Sequence, residues 1–288
     1  MESNKIKVAF ICDRISFIYF EDYIHTFHNL FEVIIYLFNK EDDIPYFLEN
    51  NYTFYIFLQF VPKIILNNLD FYKNNHYKLG IFNTEQLSRK GYAHMINNLD
   101  PYFYRVDYSE INLLVVAIEL NHKKIYLPYQ IHQREIKNLP KIYDVCMIYP
   151  YKSEKRRKII NDLQSIGIHV DEISGFGDLR DNKLFQYKVL INVHYDNDYQ
   201  IFEEMRCNRC IFNKMIVVSE TSLYDDFHIL KKHILVCDYD KIVHKVKDIL
   251  INYQLYYDHI FRSFDKLLPI YDNDFQNIAN SNIQKVFT

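Results

Sequence analysis

The stretch IFEEMRCNRCIFNKMIVVSE, residues 201–220, places a helix and a buried strand in direct succession. Up to residue 212, apolar residues recur at nearly the spacing of one helical stripe. Asn213 and Lys214 break this pattern, and the MIVVS that follows is a short apolar run, β-branched at its centre. A run without polar alternation is typical of a parallel strand that is covered on both faces. The stretch therefore predicts an α/β protein built on parallel sheets.

The same alternation extends through both halves of the chain. In the first half, strands are predicted near 5–12, 31–38, 53–60, 78–82, 102–106 and 124–127, and helices at 18–29, 85–98 and 109–121. In the second half, further strands are predicted at 143–149, 168–173, 188–194 and 233–238, and helices at 154–166 and 240–253. Such alternation predicts βαβ units, and here two doubly wound, Rossmann-like domains.

A polar segment separates the two halves. Pro128, the run QIHQREIKN and Pro140 mark a shift in composition. We therefore expect an N-terminal domain over residues 1–130 and a C-terminal domain over 141–254. Residues 255–288 are predicted to form a C-terminal helix or tail.

Composition narrows the classes of function. The 288 residues are 49% apolar and 25% charged, which suits a packed core. A net charge of −3 gives no electrostatic support to a nucleic-acid partner. The 26 tyrosines, the 22 phenylalanines and the many Ile, Asn and Lys residues are typical of an AT-rich genome, a viral one included.

Several features predict a cytoplasmic protein without a membrane span. Five scattered cysteines indicate a reducing compartment. The N-terminus lacks the apolar core of a secretory signal. The longest apolar runs, near 29–38 and 111–120, are about half as long as a bilayer requires. Cys207 and Cys210 have metal-ligand spacing but lie inside a predicted helix without a second pair, so we expect no metal site.

Polar runs gather where predicted strands end, and ligands bind at such ends in doubly wound sheets. Each run also has an ordinary structural explanation. Asn83, Thr84 or Ser109 suits a helix N-cap, the basic run in 149–160 suits a solvated face, and the carboxylates at 203–204 suit a helix start. The runs are NTEQLS (83–88), RVDYSEIN (105–112), YPYKSEKRRKII (149–160), GFGDLRD (175–181) and INVHY (191–195).

Taken with F-E-x-x-R and N-K-x-x-V-V-S-E in 202–220, these runs resemble the motifs of GT-B glycosyltransferases, in the group-1-like, CgeB-like branch. The resemblance spans roughly residues 78–220. Tyr149-Pro150 departs from it, because the branch has small residues at that strand end. No P-loop, zinc-protease motif or nucleophile elbow is present in the sequence.

The resemblance implies a nucleotide-sugar-dependent glycosyltransferase, hexosyltransferase-like, in which two domains face each other across a cleft. It implies no bound metal or other cofactor, and an acceptor that is a glycan, a protein or a small molecule. Residues 255–268 are the candidate for a final helix that crosses back to the first domain. In the first domain, Glu85 and Asp107 are the catalytic candidates. In the second, Glu203 would bind the donor ribose, and the other donor-binding candidates are Arg206, Arg156, His194, Asn192, Gly177 and Ser219.

Two other interpretations remain open. A non-catalytic GT-B-like binding or scaffold protein is favoured by Tyr149-Pro150, since bulky residues there hinder close approach of the backbone to phosphates. A transferase acting on nucleic acid would need a continuous basic groove, which the sequence does not show.

Overall fold

The structure is a computed structural model that describes residues 5–131, 135–149 and 153–288. The chain divides into two compact units. Unit 1 contains the chain up to Gln130 together with Asp274–Thr288, and unit 2 contains Ile131–Asn273. Residues 255–268, the candidate for a helix that crosses back to the first domain, belong to unit 2. The chain from Asp274 onward belongs to unit 1. His132, Gln133 and Arg134 of the predicted linker lie outside the described residues, as does Pro150.

Unit 1 is built on a six-stranded, wholly parallel sheet. In chain order its strands are β1 (Lys7–Asp13), β2 (Glu32–Phe38), β3 (Thr53–Leu58), β4 (Lys78–Phe82), β5 (Tyr104–Asp107) and β6 (Lys124–Tyr126). Their order across the sheet is β2-β1-β3-β4-β5-β6. Strand β3 is buried at all six positions, in keeping with its unbroken apolar sequence.

The helices of unit 1 connect these parallel strands. They are α1 (Arg14–His25), α2 (Lys63–Asn67), α3 (Leu69–Asn74), α4 (Lys90–Asn98) and α5 (Glu110–Val115), with 3-10 helices at Thr26–Asn29, Glu41–Phe47 and Ile118–Lys123. Helix α4 begins at Lys90, five residues later than predicted, because the NTEQLS run forms a loop. Ser109 caps α5 as expected, its hydroxyl accepting from the Asn112 amide at 3.5 Å.

Gly80 shows how tightly the centre of this sheet is packed. A Cβ atom at this position would lie 2.8 Å from the ring of Phe54 on β3 and 3.1 Å from Val106 on β5. Only glycine fits such a gap without displacing an aromatic ring. A larger residue at this position would therefore disturb the packing between β3, β4 and β5.

Unit 2 is built on a five-stranded parallel sheet. Its strands are β7 (Tyr143–Ile148), β8 (Asp171–Ile173), β9 (Tyr187–Asn192), β10 (Ile216–Glu220) and β11 (Ile234–Cys237). Their order is β11-β10-β9-β7-β8. Both units are therefore α/β with a parallel sheet, as the alternation of the sequence predicts, and their strand orders are compatible with Rossmann-like domains.

The helices of unit 2 are α6 (Glu154–Ser165), α7 (Gly177–Leu184), α8 (Glu204–Phe212), α9 (Ile242–Ile251) and α10 (Tyr253–Phe261), with 3-10 helices at Asp225–Phe227, Lys231–His233 and Tyr239–Lys241. The last helix, α11 (Phe264–Gln284), belongs to unit 2 up to Asn273 and to unit 1 beyond it. The stretch 201–220 forms helix α8, a tight connection and the fully buried strand β10, as predicted. No helix in the described ranges is long and apolar enough to span a membrane.

Candidate functional site

The strand order of unit 2 reverses between β7 and β9, which are adjacent in the sheet although β8 lies between them in sequence. Connections on either side of such a point leave in opposite directions, so a crevice opens at the carboxyl ends of the strands. The loops after β7, β9 and β10 all reach this edge. Six of the seven predicted donor-binding residues lie on these loops, on the adjoining strand ends or on the first turns of α6 and α8.

Glu203 lies at this edge as the N-cap residue of α8. Its carboxylate is 3.9 Å from the Arg156 guanidinium and 3.6 Å from that of Arg206, one turn along the helix. The Glu203 side chain is 21% exposed, whereas that of its neighbour Glu204 is 3% exposed, with its carboxylate 3.8 Å from His228. Of the two adjacent carboxylates, Glu203 is therefore the one that solvent reaches.

Asn192 and Ser219 form the buried floor of the site. The Asn192 side-chain amide donates to the Ser219 hydroxyl at 3.1 Å, and its oxygen accepts from Arg206 at 3.4 Å. The Ser219 hydroxyl donates to the Glu220 carbonyl at 3.0 Å. Both residues are fully enclosed, and Asn192 contacts the half-buried Arg206.

His194 follows β9 and is also buried. Its backbone amide donates to the Glu220 carboxylate at 3.1 Å, and Nε2 lies 3.2 Å from both the Thr221 carbonyl and the Ser222 hydroxyl. Nδ1 has no hydrogen-bond partner within the described ranges. Burial lowers the pKa of His194, against the opposing effect of Glu220, so the ring is neutral at pH 7.

Arg156 is buried rather than exposed, contrary to the expectation of a side chain at a cleft surface. Its guanidinium donates to the Val193 carbonyl at 2.7 Å and to the Tyr149 carbonyl at 3.1 Å. Desolvation lowers its pKa to about 10, with a further contribution from the nearby Arg206. The side chain therefore ties the loop after β7 to the loop after β9, and we assign it a structural role at the switch point.

Gly177 begins α7 with a positive φ of 64°, a conformation that glycine adopts without strain. It lies two residues beyond Gly175, whose carbonyl accepts from the Tyr149 hydroxyl at 2.6 Å. The ring of Tyr149 also lies 5.9 Å from that of Phe176. The structure thus connects the GFG turn to the end of β7 through Tyr149.

A polar cavity of about 690 Å³ lies at the same edge of the unit 2 sheet. It is lined by the first turn of α6, the loop after β9, Glu220 and Tyr239. Lys155 spans the cavity wall, with Nζ 2.5 Å from the Glu220 carboxylate and 3.2 Å from the Asn197 side chain. Sequence reasoning named neither Lys155 nor Glu220 as a site residue, although Glu220 ends the stretch that decides the fold.

In unit 1, the two catalytic candidates differ in accessibility. Glu85 is half-buried in the loop after β4, whereas Asp107 at the end of β5 is completely enclosed. Burial raises the pKa of Asp107 to about 7, although hydrogen bonds from Asn83, Ser109 and Asn112 oppose that rise. An acceptor cannot contact a carboxylate that solvent does not reach, so the geometry assigns Asp107 a role within the protein.

Cys207 and Cys210 face the core from α8. Burial raises the pKa of both thiols, to about 12 for Cys210. A protonated, enclosed thiol is a poor metal ligand. Within the described ranges, no three His, Cys, Asp or Glu side chains come together as a metal site.

Comparison with known proteins gives relatives but no described activity. No protein-family model matches the chain. It is 33% identical over 248 residues to uncharacterized protein L140 of Acanthamoeba polyphaga mimivirus, a match that covers 82% of this chain and 78% of L140. It is 32% identical over 271 residues to uncharacterized protein L138 of the same virus, covering 84% of this chain and 29% of L138. For uncharacterized protein L137 the identity is 30%, covering 89% of this chain and 35% of L137. The chain thus spans about a third of the length of L138 and L137.

Proposed function

The chain belongs to the same protein family as L140 of mimivirus, and we propose that it is a glycosyltransferase that uses a nucleotide-sugar donor. The donor binds at the carboxyl edge of the unit 2 sheet, and unit 1 binds the acceptor, a glycan, a protein or a small molecule. In this proposal the protein has the GT-B fold, with donor and acceptor held by different units. The transfer is hexosyltransferase-like and requires no metal held by the protein.

The observation that carries this proposal is the environment of Glu203. A partly exposed carboxylate stands at the N-cap position of a helix, at the switch point of a doubly wound sheet, with two arginines within 4 Å. Vicinal ribose hydroxyls are donors that match the two oxygens of such a carboxylate, and bonds to an ionised acceptor are the strong ones. The position at the carboxyl ends of β9 and β10 is also where this class of sheet binds nucleotides.

Arg206 and Lys155 are the cations best placed for the donor phosphates. Arg206 is half-buried beside Glu203, and Lys155 borders the polar cavity. Guanidinium and ammonium groups both bind phosphate oxygens well. Arg156 holds the loops after β7 and β9 together by its hydrogen bonds to Tyr149 and Val193. It therefore supports the site, in place of the direct donor contact that the resemblance implies.

Glu85 is the candidate for the group that accepts or orients the acceptor hydroxyl. It lies in the loop after β4, at the carboxyl edge of the unit 1 sheet. A half-buried carboxylate suits general-base chemistry if it comes within hydrogen-bond distance of the reacting hydroxyl.

The burial of Arg156 also favours the second candidate function, a non-catalytic relative that binds without transfer. Two backbone carbonyls already accept hydrogen bonds from this guanidinium, which leaves less of it for a pyrophosphate. A binding or scaffold protein that kept the fold and lost the donor site would fit this candidate.

The test is titration of UDP-, GDP- and CMP-sugars by calorimetry, with wild type, Glu203→Gln and Glu172→Gln. Glu204 is unsuitable as a control because its side chain is buried beside His228, whereas Glu172 is an exposed carboxylate on β8 that does not line the polar cavity. Loss of charge-assisted bonds predicts an affinity loss on the order of tenfold or more for Glu203→Gln, and little change for Glu172→Gln.

Melting temperatures measured alongside separate binding from folding. Equal, small losses of affinity in the two variants would contradict the assignment of Glu203. The absence of binding to every nucleotide-sugar in wild type would contradict the donor site itself. Together with no hydrolysis of any nucleotide-sugar, it would favour the non-catalytic alternative.

A further inference from the structure

Two separate sequence runs, NTEQLS and RVDYSEIN, form one hydrogen-bonded unit at the carboxyl edge of the unit 1 sheet. The Asp107 carboxylate lies at its centre. One oxygen, Oδ2, accepts from the Asn83 side chain at 2.6 Å. The other, Oδ1, accepts from the Ser109 backbone amide at 2.8 Å and from the Asn112 side chain at 3.2 Å. The members other than Glu85 and Leu87 are buried polar residues, so each depends on its partners inside the protein.

The two asparagines extend this unit to the loop that carries Glu85. Their side-chain amides both donate to the Glu85 carbonyl, at 2.6 Å from Asn83 and 3.2 Å from Asn112. Their side-chain oxygens accept from backbone amides, Asn83 from Glu85 at 3.2 Å and Asn112 from Leu87 at 2.9 Å. The backbone from Glu85 to Leu87 is thus held by side chains in place of the bonds of a helix.

We propose that Asp107 is a positioning residue that, through Asn83 and Asn112, fixes the loop backbone at residues 85–87 and thereby sets the direction of the Glu85 carboxylate. The proposal rests on the proposed function only in what Glu85 does to the acceptor. The Asp107 carboxylate is suited to this task because the side-chain amides of both asparagines donate to it. In its ionised form Asp107 accepts from both at once, which neither a neutral acid nor an amide does.

Asp107→Asn tests this directly, because it keeps the shape and turns one acceptor oxygen into a donor. The new amide then faces a donor of Asn83 or of Asn112, and at least one asparagine must turn away from the loop. We expect hydrogen exchange at the Glu85 and Leu87 amides, measured at pH 8, to accelerate by about tenfold or more, with β3 and β4 still protected. Glu110→Gln, an exposed carboxylate on the adjacent first turn of α5, is the matched control and should leave exchange unchanged.

A compensating change distinguishes positioning from general support of the fold. Adding Asn83→Asp to Asp107→Asn returns an acceptor to face the new amide and keeps an oxygen for the Glu85 amide, while it removes the bond that the Asn83 side chain donates to the Glu85 carbonyl. We expect protection of that amide to recover at least in part. If Asp107→Asn does not fold, Asn83→Ala with the carboxylate intact should accelerate exchange at Glu85 more than at Leu87, whose acceptor is Asn112.

Unchanged exchange in Asp107→Asn, or acceleration spread evenly over unit 1, would overturn the proposal. So would a loss of donor affinity as large as that of Glu203→Gln, because the proposed donor residues all lie in unit 2. Failure of the proposed function appears instead as an absence of nucleotide-sugar binding in wild type, with the exchange result unaffected.

Discussion

Arg209 is the centre of a buried ionic group, and its removal should destabilise unit 2 strongly. Nε of Arg209 donates to the Glu135 carboxylate at 2.7 Å, and its Nη2 contacts both Glu135 and Asp181. Asp181 in turn accepts from Arg180 at 2.7 Å. The side chains of Arg209, Glu135 and Asp181 are 7%, 5% and 4% exposed. Substitution by methionine keeps much of the volume and leaves two carboxylates enclosed without this guanidinium.

The expected cost follows from burial. Breaking a buried ion pair by removing one partner typically costs about 3–5 kcal/mol, because the remaining charge is not solvated. With a urea dependence of about 2 kcal/mol per molar for a unit of this size, Arg209→Met should lower the unfolding midpoint by roughly 1.5–2.5 M. Arg157→Met is the matched control. Its pair with Glu172 is 43% and 41% exposed, and such surface pairs contribute about 0–1 kcal/mol.

The assay is urea unfolding at pH 7 followed by circular dichroism, with hydrogen exchange in α8 to assign the transition to unit 2. This assignment matters because two units need not unfold together. Adding Glu135→Gln to Arg209→Met removes one uncompensated charge, so the double variant should lose less stability than Arg209→Met alone. A loss in Arg209→Met as small as that in Arg157→Met would refute the reasoning.

Two further predictions concern the predicted site residues. Arg156→Ala should cost about 2–3 kcal/mol of unfolding free energy, because the guanidinium makes two buried charged hydrogen bonds; a melting temperature equal to that of wild type would instead support an exposed, phosphate-binding arginine. The pKa of Asp107, about 7 in the folded protein against 3.8 as its ordinary value, means that its ionisation opposes folding. The stability that the protonated Asp107 carboxyl provides is fully present below about pH 4. It is lost as the pH rises to about 7, with a slope near 1.4 kcal/mol per pH unit, and does not change further above that pH. Denaturation at pH 5 and pH 7 should show this loss in wild type and not in Asp107→Asn, and parallel pH profiles would contradict it.

The α/β class and the two parallel sheets were predictable from the sequence because buried parallel strands carry an unbroken apolar signal. Strand β10 and helix α8 lie where the stretch 201–220 indicates. The start of α4 was predicted wrongly for a definite reason. Asn83 and Glu85 suit a helix cap, but the Asn83 side chain bonds instead to Asp107, 24 positions away in sequence. The conformational preferences of neighbouring residues do not reflect a contact between residues so far apart in sequence.

The sequence predicted which residues come together better than it predicted how far they are buried. Six of the predicted donor residues, chosen from polar runs at strand ends, lie at one edge of the unit 2 sheet, and donor binding at this edge stays a prediction. The burial of charged side chains was not predictable, because an arginine after a strand is exposed in most proteins. The pairing of Glu135 with Arg209 also escaped prediction, because 74 positions separate them.

The burial of Arg156 changes what the neighbouring carboxylate does. Because Arg156 is held by two backbone carbonyls, its charge stays fixed near Glu203 whether or not a ligand is bound. At 3.9 Å and 3.6 Å, Arg156 and Arg206 attract the Glu203 carboxylate at ion-pair distances longer than those of hydrogen bonds. Such pairs orient the carboxylate by electrostatic attraction. Asn192 and Ser219, enclosed beneath Arg206, hold that arginine in turn. The buried polar residues of this edge therefore fix the charges on either side of Glu203, which is one of the side chains here that solvent reaches.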